Sequence, residues 1–168
     1  DCIDCAAGTY LADSGSVEAN ACIACAAGTY VEATGSVAAG DCIGCDAGKY
    51  VEVEGSDEAA DCIDCAAGTY LADEGSSSEA DCIDCAAGQY IDTAGMTAES
   101  DCIDCPAGKY VDATASDRLS DCIDCAAGTY AVSAGNDAAS DCIECGAGQY
   151  LDAVGSAEIA CADCAVGK

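Results

Sequence analysis

Eighteen cysteines sit in nine Cys-x-x-Cys pairs along 168 residues. Cys2 and Cys5 recur at Cys22 and Cys25, at Cys42 and Cys45, and so on to Cys142 and Cys145. The interval is 20 residues, and the ninth pair, Cys161 and Cys164, comes one residue early. Thiols at this spacing suit three chemistries: dithiol redox exchange, a four-thiolate zinc site, or structural disulfides. A redox centre needs one thiol with a lowered pKa, usually at a helix N-terminus, and nine equal copies single out none. Cys-x2-Cys-x16-Cys-x2-Cys lies within the range of a tetrathiolate zinc site, so a zinc-binding cysteine array is one reading. It leaves one pair unmatched, and its acidic, Ala-rich surroundings lack cations to stabilise clustered thiolates.

Disulfides allow two uniform pairings. A bond inside each Cys-x-x-Cys closes almost no loop and stabilises little. The other joins the later Cys of one pair to the earlier Cys of the next: Cys5–Cys22, Cys25–Cys42, Cys45–Cys62, Cys65–Cys82, Cys85–Cys102, Cys105–Cys122, Cys125–Cys142 and Cys145–Cys161. Each such loop of about 17 residues contributes roughly 3 kcal/mol, which favours this pairing, although spacing alone does not fix connectivity. Cys2 and Cys164 are then left to bond beyond the ends or with another copy of the chain.

Other chemistry is sparse. There is no His, hence no His-based catalytic base, and no enzyme is expected. Asp recurs at position 1 of the repeat (Asp1, Asp41, Asp61, Asp81, Asp101, Asp121, Asp141) and often at position 4 (Asp4, Asp64, Asp84, Asp104, Asp124). Stacked repeats would align these carboxylates into an acidic face. Calcium on that face is the one cofactor suggested, because calcium favours clustered oxygens. The alternative is a solvated, self-repelling surface. Tyr fills position 10 in all eight full repeats, and packing on a disulfide is the expected role. Hydroxyls near position 15 (Ser14, Ser16, Thr34, Ser36, Ser56, Ser76, Ser116, Ser156) are read as an exposed loop open to O-glycosylation. The balance of 32 acidic to 4 basic residues, net −28, excludes nucleic acid as a partner, because phosphate contacts need Lys and Arg.

The elements that hold these side chains must be small. Val, Ile and Leu together number 23, while Phe and Trp are absent. Such a composition buries too little apolar surface to offset an ordering cost of about 1.5 kcal/mol per residue. Covalent staples must replace the core. A fixed 20-residue period marks a stacked array: eight tandem repeats over 1–159 and a partial ninth over 160–168. Within a repeat, Ala-Ala-Gly after the second Cys reads as a tight turn and Thr-Tyr-Leu as a short strand. Gly15-Ser16 reads as a second turn, and Asp-Cys-Ile-Asp-Cys as an extended return. The stretch 12–20 is too short and Gly-interrupted for a helix. The fold class is therefore a small disulfide-rich repeat array: an elongated rod or solenoid of irregular 20-residue hairpin-like units, with Tyr and Ile packed against a disulfide.

The unit Cys-x-x-Cys-x-x-Gly-x-Tyr-(x)4-Gly-Ser resembles the tandem ephrin-receptor-like repeats, also called the GCC2/GCC3 type, which are related to tumour-necrosis-factor-receptor-like cysteine-rich modules. Cys105-Pro106-Ala107-Gly108-Lys109-Tyr110 is the nearest copy of that family's turn; the other repeats lack the Pro. The resemblance implies an elongated extracellular rod, the Tyr ring on a disulfide, and the pairing of the later Cys with the next repeat.

Cysteine above about 10% of the chain belongs to disulfide scaffolds, which persist outside the cytosol. We therefore expect a secreted protein or part of a cell-surface appendage. No apolar run is long enough to cross a bilayer within this segment. The chain begins at the head of a repeat and stops within one, as a mature product or a piece of a longer array would. The expected function is structural: a disulfide-stapled rod in a fibre, filament, sheath or stalk, through self-association or continuation into further repeats. The alternative is a receptor-like or adhesive ectodomain that binds a protein or glycan ligand.

Overall fold

The computed structural model describes residues 4–12 and 21–165. The ordered elements are strands of two residues, arranged as eight two-stranded sheets, with single 3-10 turns between them. Among the described residues there is no α-helix.

The hairpin does not lie inside one 20-residue period. Its first strand holds positions 9 and 10 of one repeat, and its second holds positions 3 and 4 of the next. Thr9 faces Ala24 and Tyr10 faces Ile23 in antiparallel register, and Tyr30–Ile43 and Tyr110–Ile123 repeat the pairing. On its other side each Tyr strand meets position 16 of the following repeat in a parallel bridge, as at Tyr10–Ser36 and Tyr90–Ser116. The Tyr residue is thus the middle of three chain segments.

The chain divides into two compact units. One comprises Asp1–Ala66, Tyr70–Ile83 and Ala94–Ala98; the other comprises Ala67–Thr69, Asp84–Thr93 and Glu99–Lys168. The same backbone contacts build both. In the first, the Gly28 amide donates to Val51 O at 2.7 Å, Cys45 N to Gly28 O at 2.9 Å, and Gly55 N to Cys25 O at 2.8 Å. In the second, Gly88 N donates to Val111 O at 2.8 Å, Cys105 N to Gly88 O at 2.8 Å, and Ala115 N to Cys85 O at 3.0 Å. Backbone donors are therefore satisfied by the neighbouring repeat, as nearest-neighbour stacking requires.

Position 8 reaches further, to the second repeat ahead. A Cβ at Gly28 or Gly108 would fall on the carbonyl oxygen of Gly75 or Gly155, and one at Gly88 would lie 2.5 Å from Gly135 O. These glycines also have φ between 83° and 89° at Gly28, Gly88 and Gly108. Both the close approach and the left-handed backbone exclude a side chain there.

The core is a string of small clusters rather than one mass. In the first unit the Cys45 and Cys62 sulfurs pack with Val51, and Tyr30 of the preceding repeat lies against them. In the second, Cys105, Cys122 and Val111 pack under Tyr90. Position 11, read from sequence only as apolar, is buried at Val31, Val51, Leu71, Ile91, Val111, Ala131 and Leu151.

Candidate functional site

The disulfides form a ladder between repeats. Cys5–Cys22, Cys25–Cys42, Cys45–Cys62, Cys65–Cys82, Cys85–Cys102, Cys105–Cys122, Cys125–Cys142 and Cys145–Cys161 are bonded, with Cα–Cα distances of 5.7 or 5.8 Å. Seven close 17 residues and the last closes 16. Sulfurs bonded to one another are not available as zinc thiolates. Cys164 is a free, exposed thiol. Its backbone amide donates to Gly148 O at 2.8 Å, as the amides of Cys25 and Cys45 donate to Gly8 and Gly28. Cys2 lies outside the described residues.

The carboxylate ladder splits into two structural roles. At position 1, Asp61 Oδ2 accepts from the amides of Asp57 and Glu58 at 3.0 and 3.3 Å, and Asp41 does the same with Val37 and Ala38. Asp81, Asp121 and Asp141 repeat the arrangement. Each carboxylate closes the 3-10 turn that delivers the next Cys, as in Ala59–Asp61 before Cys62. At position 4 the carboxylate faces position 9 across the hairpin. Lys49 Nζ lies 2.5 Å from Asp64 and Lys109 Nζ 2.6 Å from Asp124, while Gln89 donates to Asp104 at 2.9 Å. The carboxylates do not converge: among the described residues no group of three or more His, Cys, Asp or Glu side chains could hold a metal.

The hydroxyl loop expected at position 16 is a correction. Ser36, Ser56, Ser76 and Ser116 are buried, and each hydroxyl donates to the carbonyl three residues earlier. The physical reason is the parallel bridge to Tyr, which draws this segment under its neighbour. Ser156 is half-buried and donates to Glu158 O at 3.0 Å. Thr34 is exposed, and Ser14 and Ser16 lie outside the described residues. At Asn136 the amide replaces the hydroxyl and donates to Lys109 O and Ser133 O.

Ile at position 3 is the second correction. Instead of packing on a disulfide, Ile23, Ile43, Ile63, Ile83, Ile103, Ile123 and Ile143 are 46–54% exposed. The Ile strand is the outer of the three segments and has only the Tyr strand beside it. The Ile side chains instead line shallow open grooves. One of about 550 Å³ is bounded by Tyr30, Val31, Glu32, Ala33, Asp41 and Ile43. One repeat on, a groove of about 360 Å³ is bounded by the equivalent Tyr50, Val51, Glu52, Val53, Asp61 and Ile63, with Asp57. The Tyr50 phenol is held above its ordinary pKa, first by desolvation and then by the Glu79 and Glu52 charges. Sequence reasoning missed these grooves, because the invariant Ile was read as core.

A family model described as tyrosine-protein kinase ephrin type A/B receptor-like matches residues 1–42, 37–82, 55–102, 77–122 and 113–164. No curated protein matches the chain.

Proposed function

Because the chain belongs to the ephrin type A/B receptor-like family, whose repeats are non-catalytic, disulfide-rich modules of extracellular type, we propose that it is a structural extracellular protein. Its repeats form part of a fibre, filament, sheath or stalk. One observation carries this: among the described residues every strand pairing, core cluster and disulfide lies across a repeat boundary, so the same bond that folds one repeat fixes the next. Nothing in such an arrangement limits the number of units. The exposed thiol of Cys164 is a point at which one array continues into another, through sequence or through a second copy. The charge of −28 keeps such an assembly soluble and extended by self-repulsion. Of the hydroxyls read for glycans, Thr34 stays open to solvent.

Electron microscopy of the native material tests this, together with intact mass before and after reduction. Extended assemblies, few thiols that react before reduction and 18 after it are the expected result. Compact monomers alone would overturn the proposal.

A further inference from the structure

Two grooves of the first unit share one composition. They are lined by apolar and acidic side chains together, and they recur. Tyr30, Val31 and Ile43 in one are replaced by Tyr50, Val51 and Ile63 in the next, at an offset of 20 residues. Ile43 and Ile63 are 54% and 53% exposed, an arrangement that leaves apolar surface in water in both grooves. Around them stand Glu32 and Asp41 in one groove, and Glu52, Asp57 and Asp61 in the other. Glu32 and Glu52 accept backbone amides of Ala59 and Glu79 at 3.4 and 3.3 Å. Among the described residues no cation pairs with any of these carboxylates, because Lys49 is spent on Asp64.

We propose that this face is a docking surface for a basic, extended segment of a partner protein, which places apolar side chains against Ile43 and Ile63 and Lys or Arg against the acidic side chains. Charge complementarity selects this occupant. A second copy would bring the same acidic side chains against one another, on a chain with net charge −28. A nucleic acid or an anionic lipid surface would meet the same repulsion. The Tyr30 and Tyr50 rings that line the grooves add a favourable face for a guanidinium or ammonium group.

Fluorescence anisotropy of labelled peptides with the oxidised 168-residue chain tests the assignment. The probes are peptides of alternating Lys and Leu, alternating Lys and Ser, and alternating Glu and Leu. The Lys–Leu peptide is expected to bind at least about tenfold more tightly than the Lys–Ser peptide, and the Glu–Leu peptide not at all. The double variant Ile43→Ser/Ile63→Ser should weaken the Lys–Leu peptide about tenfold. Ile159→Ser, at an exposed apolar residue outside both grooves, should leave binding unchanged. Equal binding of the Lys–Ser peptide would reduce the interaction to diffuse charge and overturn the proposal, and it needs no variant to read. Unchanged Lys–Leu binding by the double variant would overturn it as well. So would sedimentation showing that the wild-type chain dimerises and the double variant does not, which would make a second copy the occupant.

Discussion

At the scale of single residues, backbone conformation sets the strictest demands. Position 15 is left-handed throughout the described repeats, and Ala115 holds it with φ 54°, the one non-Gly residue at positive φ among the described residues. An L side chain there costs about 1–2 kcal/mol. Ala115→Gly should therefore stabilise the chain by about 1 kcal/mol, read as a rise in denaturation midpoint at an unchanged m-value. Gly88→Ala should do the reverse by about 2 kcal/mol or more, because its Cβ meets both a forbidden φ and the Gly135 carbonyl. Tyr50 offers a pH test. Its pKa is raised in the folded chain, first by desolvation. The stability this gives is fully present below the ordinary Tyr value and is lost as pH rises through the folded one. Ultraviolet titration of wild type against Tyr50→Phe should show the missing phenol to be one that ionises late. At this scale the sequence was informative wherever a residue type has few uses. Gly at position 8 and Cys at positions 2 and 5 announce their constraints. Asp at position 1 does not, because a capping carboxylate and a solvated one look alike in a single sequence.

At the scale of the element, the 3-10 turn before each second-position Cys depends on its Asp. Asp61→Ala removes the acceptor of two amides and should cost about 1–2 kcal/mol. Hydrogen exchange should localise the loss to Asp57 and Glu58, while Lys49→Met, which removes a half-exposed ion pair with Asp64, should cost 1 kcal/mol or less. The short strand around Tyr10 and the two Gly turns were legible from alternation and turn chemistry. That the strand pairs with the next repeat was not, because a perfect period gives identical side chains to pairing within a unit and pairing across units. The same degeneracy hid the outward Ile. Its invariance fits a core residue equally well, and only the folded arrangement, with the Ile23 strand at the outer edge and Ser36 bridged to Tyr10, shows Ile to be the exposed one. Burial of Ser36 and Ser56 follows from that same bridge.

At the scale of the whole molecule, the ladder of eight disulfides substitutes for the large apolar core that 23 Val, Ile and Leu residues cannot supply. Reduction should abolish the fold, read as loss of near-ultraviolet dichroism, whereas the oxidised chain should withstand heating and protease. Removing one rung as Cys45→Ser/Cys62→Ser should cost roughly 3 kcal/mol and expose Val51 and Tyr30, its neighbours in the cluster. The pairing also redraws the covalent route along the chain. From Cys25 a disulfide leads to Cys42, three residues lead on to Cys45, and the next disulfide leads to Cys62. Tension applied at the ends follows this shortcut and bypasses the loop between. Three residues at about 3.6 Å each and one step of 5.8 Å limit a fully stretched repeat to about 17 Å, against about 70 Å for 20 reduced residues. Even an array whose hydrogen bonds have all been pulled apart could not lengthen beyond this limit, and single-molecule stretching with and without reductant would read the difference as a roughly fourfold change in contour length.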